Sequence, residues 1–152
     1  MIKKIFKFLF CLLPWFVTYL IPLDYNYLKV IKTPAFTPPS LFYPIAWTII
    51  YILIAITIYQ ILNLYKFKDL PNKYKLTLLV NYIFNQSFTL LFFGLKNNFL
   101  GFIACLGTLL SSLFLYDETA LIKNKVSKLL YPYIILSIFA TILSLSIYLL
   151  NA

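Results

Sequence analysis

Four polar side chains interrupt one apolar run of the sequence, and they are the residues whose chemistry is most informative. They are Asn81, Asn85, Gln86 and Ser87, within residues 76–95. Asn81 and Asn85 are four positions apart, so they share one face of a helix. An amide in hydrocarbon needs a hydrogen-bond partner, which it finds on a neighbouring helix or on a ligand. The sequence leaves two interpretations open: hydrogen bonds between helices, or polar contacts in a pocket.

Several kinds of catalytic and metal-binding site are excluded by the residue types that the chain lacks. It contains no histidine, which rules out an imidazole base, a histidine-based triad and an imidazole metal ligand. The acidic residues lie at or beyond the ends of the apolar runs, and they are Asp24, Asp69, Asp117 and Glu118. No proton relay inside a membrane is therefore indicated. We expect no catalytic residue, no metal site and no cofactor.

The composition indicates an all-α integral membrane protein. Hydrophobic residues make up 62% of the 152 residues, charged residues 11%, and the mean hydropathy is +0.90. A soluble domain has about 45–50% apolar and about 25% charged residues. The net charge of +9 comes from 13 lysines in short segments between apolar runs, and arginine is absent. This pattern is typical of membrane topology signals and argues against nucleic-acid binding, which favours arginine.

Five apolar runs predict a single membrane domain, residues 1–152, built as a bundle of five transmembrane helices. The helices are predicted over about residues 5–21, 41–64, 76–95, 99–116 and 129–150. The first follows a basic start but has no cleavage site, so we interpret it as a retained helix, kinked near Pro14. Residues 22–40 are predicted as a proline-bearing loop or extended chain, and residues 117–128 as a charged loop.

The lysines predict an orientation in the membrane. Five crossings place ten lysines on the side of the N-terminus and three on the other side. The excess of positive charge in short loops faces the cytoplasm. We therefore expect a multi-pass protein of a bacterial cell membrane, with its N-terminus in the cytoplasm and its C-terminus outside.

Small residues form a stripe on the fourth predicted helix: Gly101, Cys105, Thr108 and Ser112. Small side chains let helix backbones approach closely. The stripe predicts close helix packing, either within one protomer or across a dimer.

Three segments together resemble the TspO/MBR family, which includes the tryptophan-rich sensory proteins and the mitochondrial translocator protein. Residues 34–39 read Pro-Ala-Phe-Thr-Pro-Pro and residues 45–51 read Ile-Ala-Trp-Thr-Ile-Ile-Tyr, similar to the family's proline loop and the start of its second helix. Residues 85–93, Asn-Gln-Ser-Phe-Thr-Leu-Leu-Phe-Phe, resemble its third helix. Residues 129–133, Leu-Leu-Tyr-Pro-Tyr, followed by Phe-Ala-Thr at 139–141, resemble its fifth.

The resemblance implies a five-helix bundle, usually a homodimer in membrane lipid, that binds porphyrins such as protoporphyrin IX or other hydrophobic small molecules. The pocket residues that it implies are Trp47, Asn85, Phe88, Tyr51, Pro39, Pro44 and Ala140. Ring faces of Trp47 and Phe88 would stack on a flat macrocycle, and small Ala140 leaves room for it. Lys32, at the mouth, would pair with a propionate of the ligand.

The sequence departs from the family pattern at several positions. Thr33 stands where the family has a lysine, Phe88 and Leu136 stand where it has tryptophans, and Ser144 stands where it has an asparagine. Some members are credited with light-dependent porphyrin breakdown that involves the pocket tryptophans. With Leu136 in place of one of them, we do not expect this chain to be an enzyme.

Three functions remain open on the sequence. The first is a membrane receptor or carrier for porphyrins, with a role in tetrapyrrole regulation or transport. The second is a transporter of a small or lipophilic solute without intramembrane charge to couple it to protons. The third is a membrane assembly or interaction subunit without a ligand, in which the polar residues only join helices.

Overall fold

The computed structural model describes residues 2–22 and 24–152, and every regular element in this part of the chain is helical. The prediction of an all-α membrane bundle is confirmed. The helices, in chain order, are α1 (Ile2–Leu12), α2 (Tyr25–Val30), α3 (Phe42–Leu64), α4 (Asn72–Thr89), α5 (Asn98–Ser127) and α6 (Tyr131–Leu150).

The first apolar run is split between two helix types. α1 ends at Leu12 and continues as a 3-10 helix over Leu13–Leu20, with Pro14 in its first turn. Proline has no N–H to donate to the preceding turn, so the α-helical ladder ends there. At 1.5 and 2.0 Å per residue the two parts together extend about 30 Å, close to the thickness of a bilayer core.

Three helical stretches in the described part of the chain are long and apolar enough to cross a membrane: Phe42–Leu64, Asn72–Gly94 and Asn98–Leu150. The last has 53 residues, which would extend about 80 Å if straight, more than twice the thickness of a bilayer core. It bends at Lys123, whose φ of −156° and ψ of 98° are not helical, and α6 then packs back against α5. The stretch is therefore two neighbouring helices.

Large apolar side chains cover the outside of the bundle. Exposed residues on α3, α4, α5 and α6 include Ile45, Ile49, Leu79, Ile83, Leu110, Ile135 and Ile142. An aqueous solvent would disfavour so continuous an apolar surface, whereas lipid chains solvate it.

The predicted loop over residues 117–128 is wrong for most of its length, because α5 is helical up to residue 122 and the chain is helical again after the break at Lys123. No glycine or proline lies between residues 108 and 131 to end the helix. Thr119, Val126 and Ser127 are buried, whereas Asp117 is exposed. One face of this segment is charged and exposed and the other is buried. This pattern is typical of an amphipathic helix that extends past the apolar part of the sequence.

The segment before α3 also contains a helix that the sequence did not predict. α2 begins after Asp24, whose carboxylate accepts a hydrogen bond from the backbone N–H of Asn26 at 3.1 Å. This is an ordinary N-terminal cap. The prolines at positions 34, 38 and 39 follow α2 and remain outside any helix, as predicted.

Long-range hydrogen bonds define the two ends of the bundle. At one end the Lys7 ammonium donates to the Leu62 carbonyl at 2.7 Å and to Asn63 Oδ1 at 2.8 Å, which joins α1 to the end of α3. At the other end Asn151 binds both backbone groups of Lys32, at 2.9 and 2.8 Å. The segment between the first helix and α3 is thereby fixed to the C-terminus of α6.

The small-residue stripe on α5 faces the interior of the protomer. Gly101, Cys105, Thr108 and Ser112 are all buried. A Cβ at Gly101 would come within 2.6 Å of the Phe92 ring, so only glycine permits this approach of α5 to the segment after α4. Of the two interpretations of the stripe, packing within one protomer is the one observed.

Candidate functional site

A cavity lies inside the bundle, at the end that holds α2. Its volume is about 130 Å³. The lining comes from the 3-10 segment after α1, from α2 and from all four later helices, and no residue in it carries a charge. The cavity is therefore suited to an uncharged, apolar ligand body.

Six of the eight predicted pocket residues line this one cavity. Trp47, Tyr51 and Pro44 lie on α3, and the remaining three are Asn85, Phe88 and Ala140. Helices that are far apart in sequence thus bring these residues together. Whether they bind a ligand stays a prediction.

The other two predicted residues, Pro39 and Lys32, lie outside the cavity lining. Pro39 is exposed beside Ser40, which does line the cavity. Lys32 is exposed, and the hydrogen bonds of its backbone to Asn151 fix its position. The role of the cation at the mouth, predicted for Lys32, is therefore not supported by its position.

Phenylalanine rings form one wall of the cavity. Phe88 and Phe92 are stacked, with centroids 5.3 Å apart and planes at 13°, and Phe93 meets Phe92 edge-on at 4.9 Å. Phe92 and Phe93 lie in a π-helical turn, Leu90–Gly94, that follows α4. The wider turn changes the phase of the helix, and both consecutive rings line the cavity. Nothing in the sequence spacing signalled this turn.

Tyr133 joins two of the polar residues of α4 through its hydroxyl. Its Oη donates to Asn81 Oδ1 at 3.0 Å and accepts from Asn85 Nδ2 at 3.2 Å. Asn81 Nδ2 donates in turn to Ser111 Oγ at 2.9 Å. All three side chains of the Asn81–Tyr133–Asn85 cluster are buried, so each bond offsets a desolvation cost.

Gln86 extends the network to the first helical segment. Its Nε2 donates to Asn85 Oδ1 at 3.0 Å and to the Trp15 carbonyl at 3.2 Å, while its Oε1 accepts from the Thr18 N–H at 2.9 Å. The hydroxyls of Thr18 and Thr89 are 2.5 Å apart. Bonds of this kind satisfy the carbonyl and N–H groups that the 3-10 helix leaves free within the bundle.

The structure separates the two interpretations of the polar cluster residue by residue. Asn81 is fully buried outside the cavity lining, so it joins helices. Asn85 lines the cavity, but its amide is already bonded on both sides by Tyr133 and Gln86. Ser137 differs from them: it is buried in the cavity wall, and its hydroxyl has no hydrogen-bond partner among the described residues.

The sequence missed the contributions of the N-terminal region to the cavity. Thr18 and Tyr19 line it from the 3-10 segment, and Leu28 lines it from α2. The only available signal was Thr18, a hydroxyl within an otherwise apolar run. The predicted pocket residues lay on the second, third and fifth predicted helices and in the loop over residues 22–40.

An ion pair holds α2 against the turn between α4 and α5. Lys96 Nζ lies 2.9 Å from Asp24 Oδ2, and the Tyr27 hydroxyl donates to the Lys96 carbonyl at 3.0 Å. The hydrogen bond from Lys96 lowers the pKa of Asp24 below its usual value. Because this folded-state pKa is lowered, the stabilisation is present above the unfolded pKa and is lost as the pH falls through the folded one.

Comparisons with known proteins agree with the geometry. Residues 8–150 match the TspO/MBR family. The tryptophan-rich protein TspO of Bacillus cereus is 36% identical over 132 residues, 87% of this chain and 85% of the relative. A TspO of Archaeoglobus fulgidus is 32% identical over 80% of this chain and 78% of the relative. The uncharacterized membrane protein YtaB of Bacillus subtilis is 32% identical over 85% of this chain and 83% of the relative.

The match covers nearly the whole chain, and it includes every helix that lines the cavity. The resemblance found in the proline loop and in the third and fifth predicted helices is thereby confirmed. The chain belongs to the TspO/MBR family.

Proposed function

We propose that this protein is a membrane receptor or carrier that binds porphyrins, such as protoporphyrin IX, or related hydrophobic ligands inside the bundle. The observation that carries the proposal is the uncharged cavity with aromatic side chains from α3, α4 and α6. A flat conjugated macrocycle matches such a lining, because aromatic faces stack on it and little of its surface needs hydrogen bonds. The unpartnered Ser137 hydroxyl offers a polar contact to a ligand heteroatom.

The proposal predicts saturable binding of protoporphyrin IX by the purified protein. We expect the porphyrin absorbance to shift and the tryptophan fluorescence to fall together, with micromolar affinity and one site per chain. Trp47→Phe should weaken binding, because Trp47 lines the cavity. A titration without saturation would overturn the proposal.

Two other results would favour the alternative functions. Solute flux in proteoliposomes without porphyrin binding would favour a transporter, and a stoichiometric membrane partner would favour an assembly subunit.

We also propose that the chain crosses a bacterial cell membrane five times, with the N-terminus in the cytoplasm and the C-terminus outside. Lys7 lies at the bundle end where α3 ends, and Lys32 and Lys96 lie at the opposite end with Asn151. The lysine-rich segments after α3 and at the end of α5 lie at the same end of the bundle as Lys7. A cysteine substituted for Ala152 should therefore react with an impermeant thiol reagent added to intact cells. Protection of that cysteine until the cells are lysed would contradict this orientation.

A further inference from the structure

The cavity cannot readily hold a charged group of its ligand. No charged side chain lines it, and Thr18, Thr89 and Asn85 in its wall already have hydrogen-bond partners within the protein. An ionised carboxylate placed there would lose its hydration without gaining a cation. Any acidic group on a ligand must therefore lie at the edge of the cavity, where a cation or water is available.

A second depression adjoins the cavity and has a different chemical character. It is bordered by Leu28, Ser40 and Tyr43, which also line the cavity, so these three residues lie between the two spaces. Its other lining residues include Lys29 and Thr33. A substituent that extends past Tyr43 from a ligand body in the cavity would enter a region with a positive charge.

Three lysines lie at this end of the bundle: Lys29, Lys32 and Lys96. Lys29 is the one whose charge can interact with an anion in the depression. Lys96 is paired with Asp24. Lys32 borders neither the cavity nor the depression. Lys29 lies in the last turn of α2, and it has no acidic partner among the residues that the structure describes. The Thr33 hydroxyl beside it is also unbonded within that part of the chain and can donate to an anion.

We propose that the depression is a subsite for a carboxylate of the ligand, with Lys29 as its cation and Thr33 as a hydrogen-bond donor. The subsite rests on the proposed function, because it needs the ligand body in the adjoining cavity. The proposed cation differs from the one that the sequence suggested. The sequence suggested Lys32 for this role, whereas the position of α2 favours Lys29. A propionate is the kind of substituent that fits, because it is acidic and flexible.

The test compares protoporphyrin IX with its dimethyl ester, whose propionates carry no charge, in a non-ionic detergent. Lys29→Gln should weaken binding of the diacid by up to about fivefold, the upper end of the range for a solvent-exposed ion pair, and leave binding of the diester unchanged. Lys29→Arg should retain the affinity for the diacid. Lys32→Gln is the matched control, with the same loss of charge three residues further along the chain, and should leave both affinities unchanged.

The outcomes separate the subsite from the proposed function. Equal affinity of wild type and Lys29→Gln for the diacid would overturn the subsite while the cavity proposal stands. Equal loss of diacid and diester affinity would also overturn it, because Lys29 would then act through the fold of α2. If the wild type binds neither compound saturably, the proposed function fails and the subsite fails with it.

Discussion

Replacing Tyr133 with phenylalanine is expected to lower the free energy of unfolding by about 2 kcal/mol. The Tyr133 hydroxyl is both the donor to Asn81 and the acceptor from Asn85. Without it, two buried amide groups lose a partner at the same time. Hydrogen bonds between membrane helices contribute about 0.6 kcal/mol on average and up to about 1.7 kcal/mol each, so two such bonds give the expected size.

The measurement is equilibrium unfolding in mixed detergent micelles, with Tyr131→Phe as the matched control. Tyr131 lies on the same helix, is exposed, and bonds only the Tyr116 hydroxyl at 2.9 Å. Its loss should change the free energy of unfolding by less than about 0.5 kcal/mol, because water replaces the bond. Equal stability of the two variants would mean that the polar network does not hold the helices together.

Replacing Ala140 with phenylalanine is expected to reduce porphyrin affinity by at least about tenfold, the largest effect on binding that we predict. Ala140 lines the cavity with a single methyl group. A phenyl ring at this position takes up space that the macrocycle needs, next to Phe139 and Leu136 of the same helix. The ligand must then bind in another pose or leave the cavity.

Ile138→Phe is the control for this substitution. Ile138 is on the same helix but points outward, with 44% of its surface exposed, so the added ring meets lipid or detergent. It should leave porphyrin affinity and thermal stability unchanged. Ala140→Phe should also unfold at a temperature no lower than the wild type, because it fills existing space. Wild-type affinity in Ala140→Phe would place the porphyrin somewhere else.

The fold class could be predicted because it depends on composition, whereas helix ends depend on local contacts. Apolar runs of about 20 residues have few alternatives to a membrane helix. The extension of α5 beyond Tyr116 was missed because charged residues were interpreted as a loop, although Thr119 keeps one side of that helix buried. The short helix α2 was missed because its cap at Asp24 is a single local hydrogen bond.

The part of the candidate site that lies in recognisable sequence motifs could be predicted. The segments around Trp47, Asn85 and Ala140 resemble family motifs, and the structure brings them to one cavity. The π-helical turn with Phe92 and Phe93 depends on the approach of α5 at Gly101, a contact between distant parts of the fold. Lys29 and Lys32 are equally basic in sequence, and only the path of α2 and the bond to Asn151 distinguish them.

The position of the bound macrocycle tests the central claim most directly. Crystals of the protein with zinc protoporphyrin IX, measured at the zinc absorption edge, would locate the metal by its anomalous scattering. We predict one peak per chain inside the cavity, between Trp47 of α3, Phe88 of α4 and Ala140 of α6. A peak on the lipid-facing surface of the bundle, or no peak in crystals grown at saturating porphyrin, would contradict the claim.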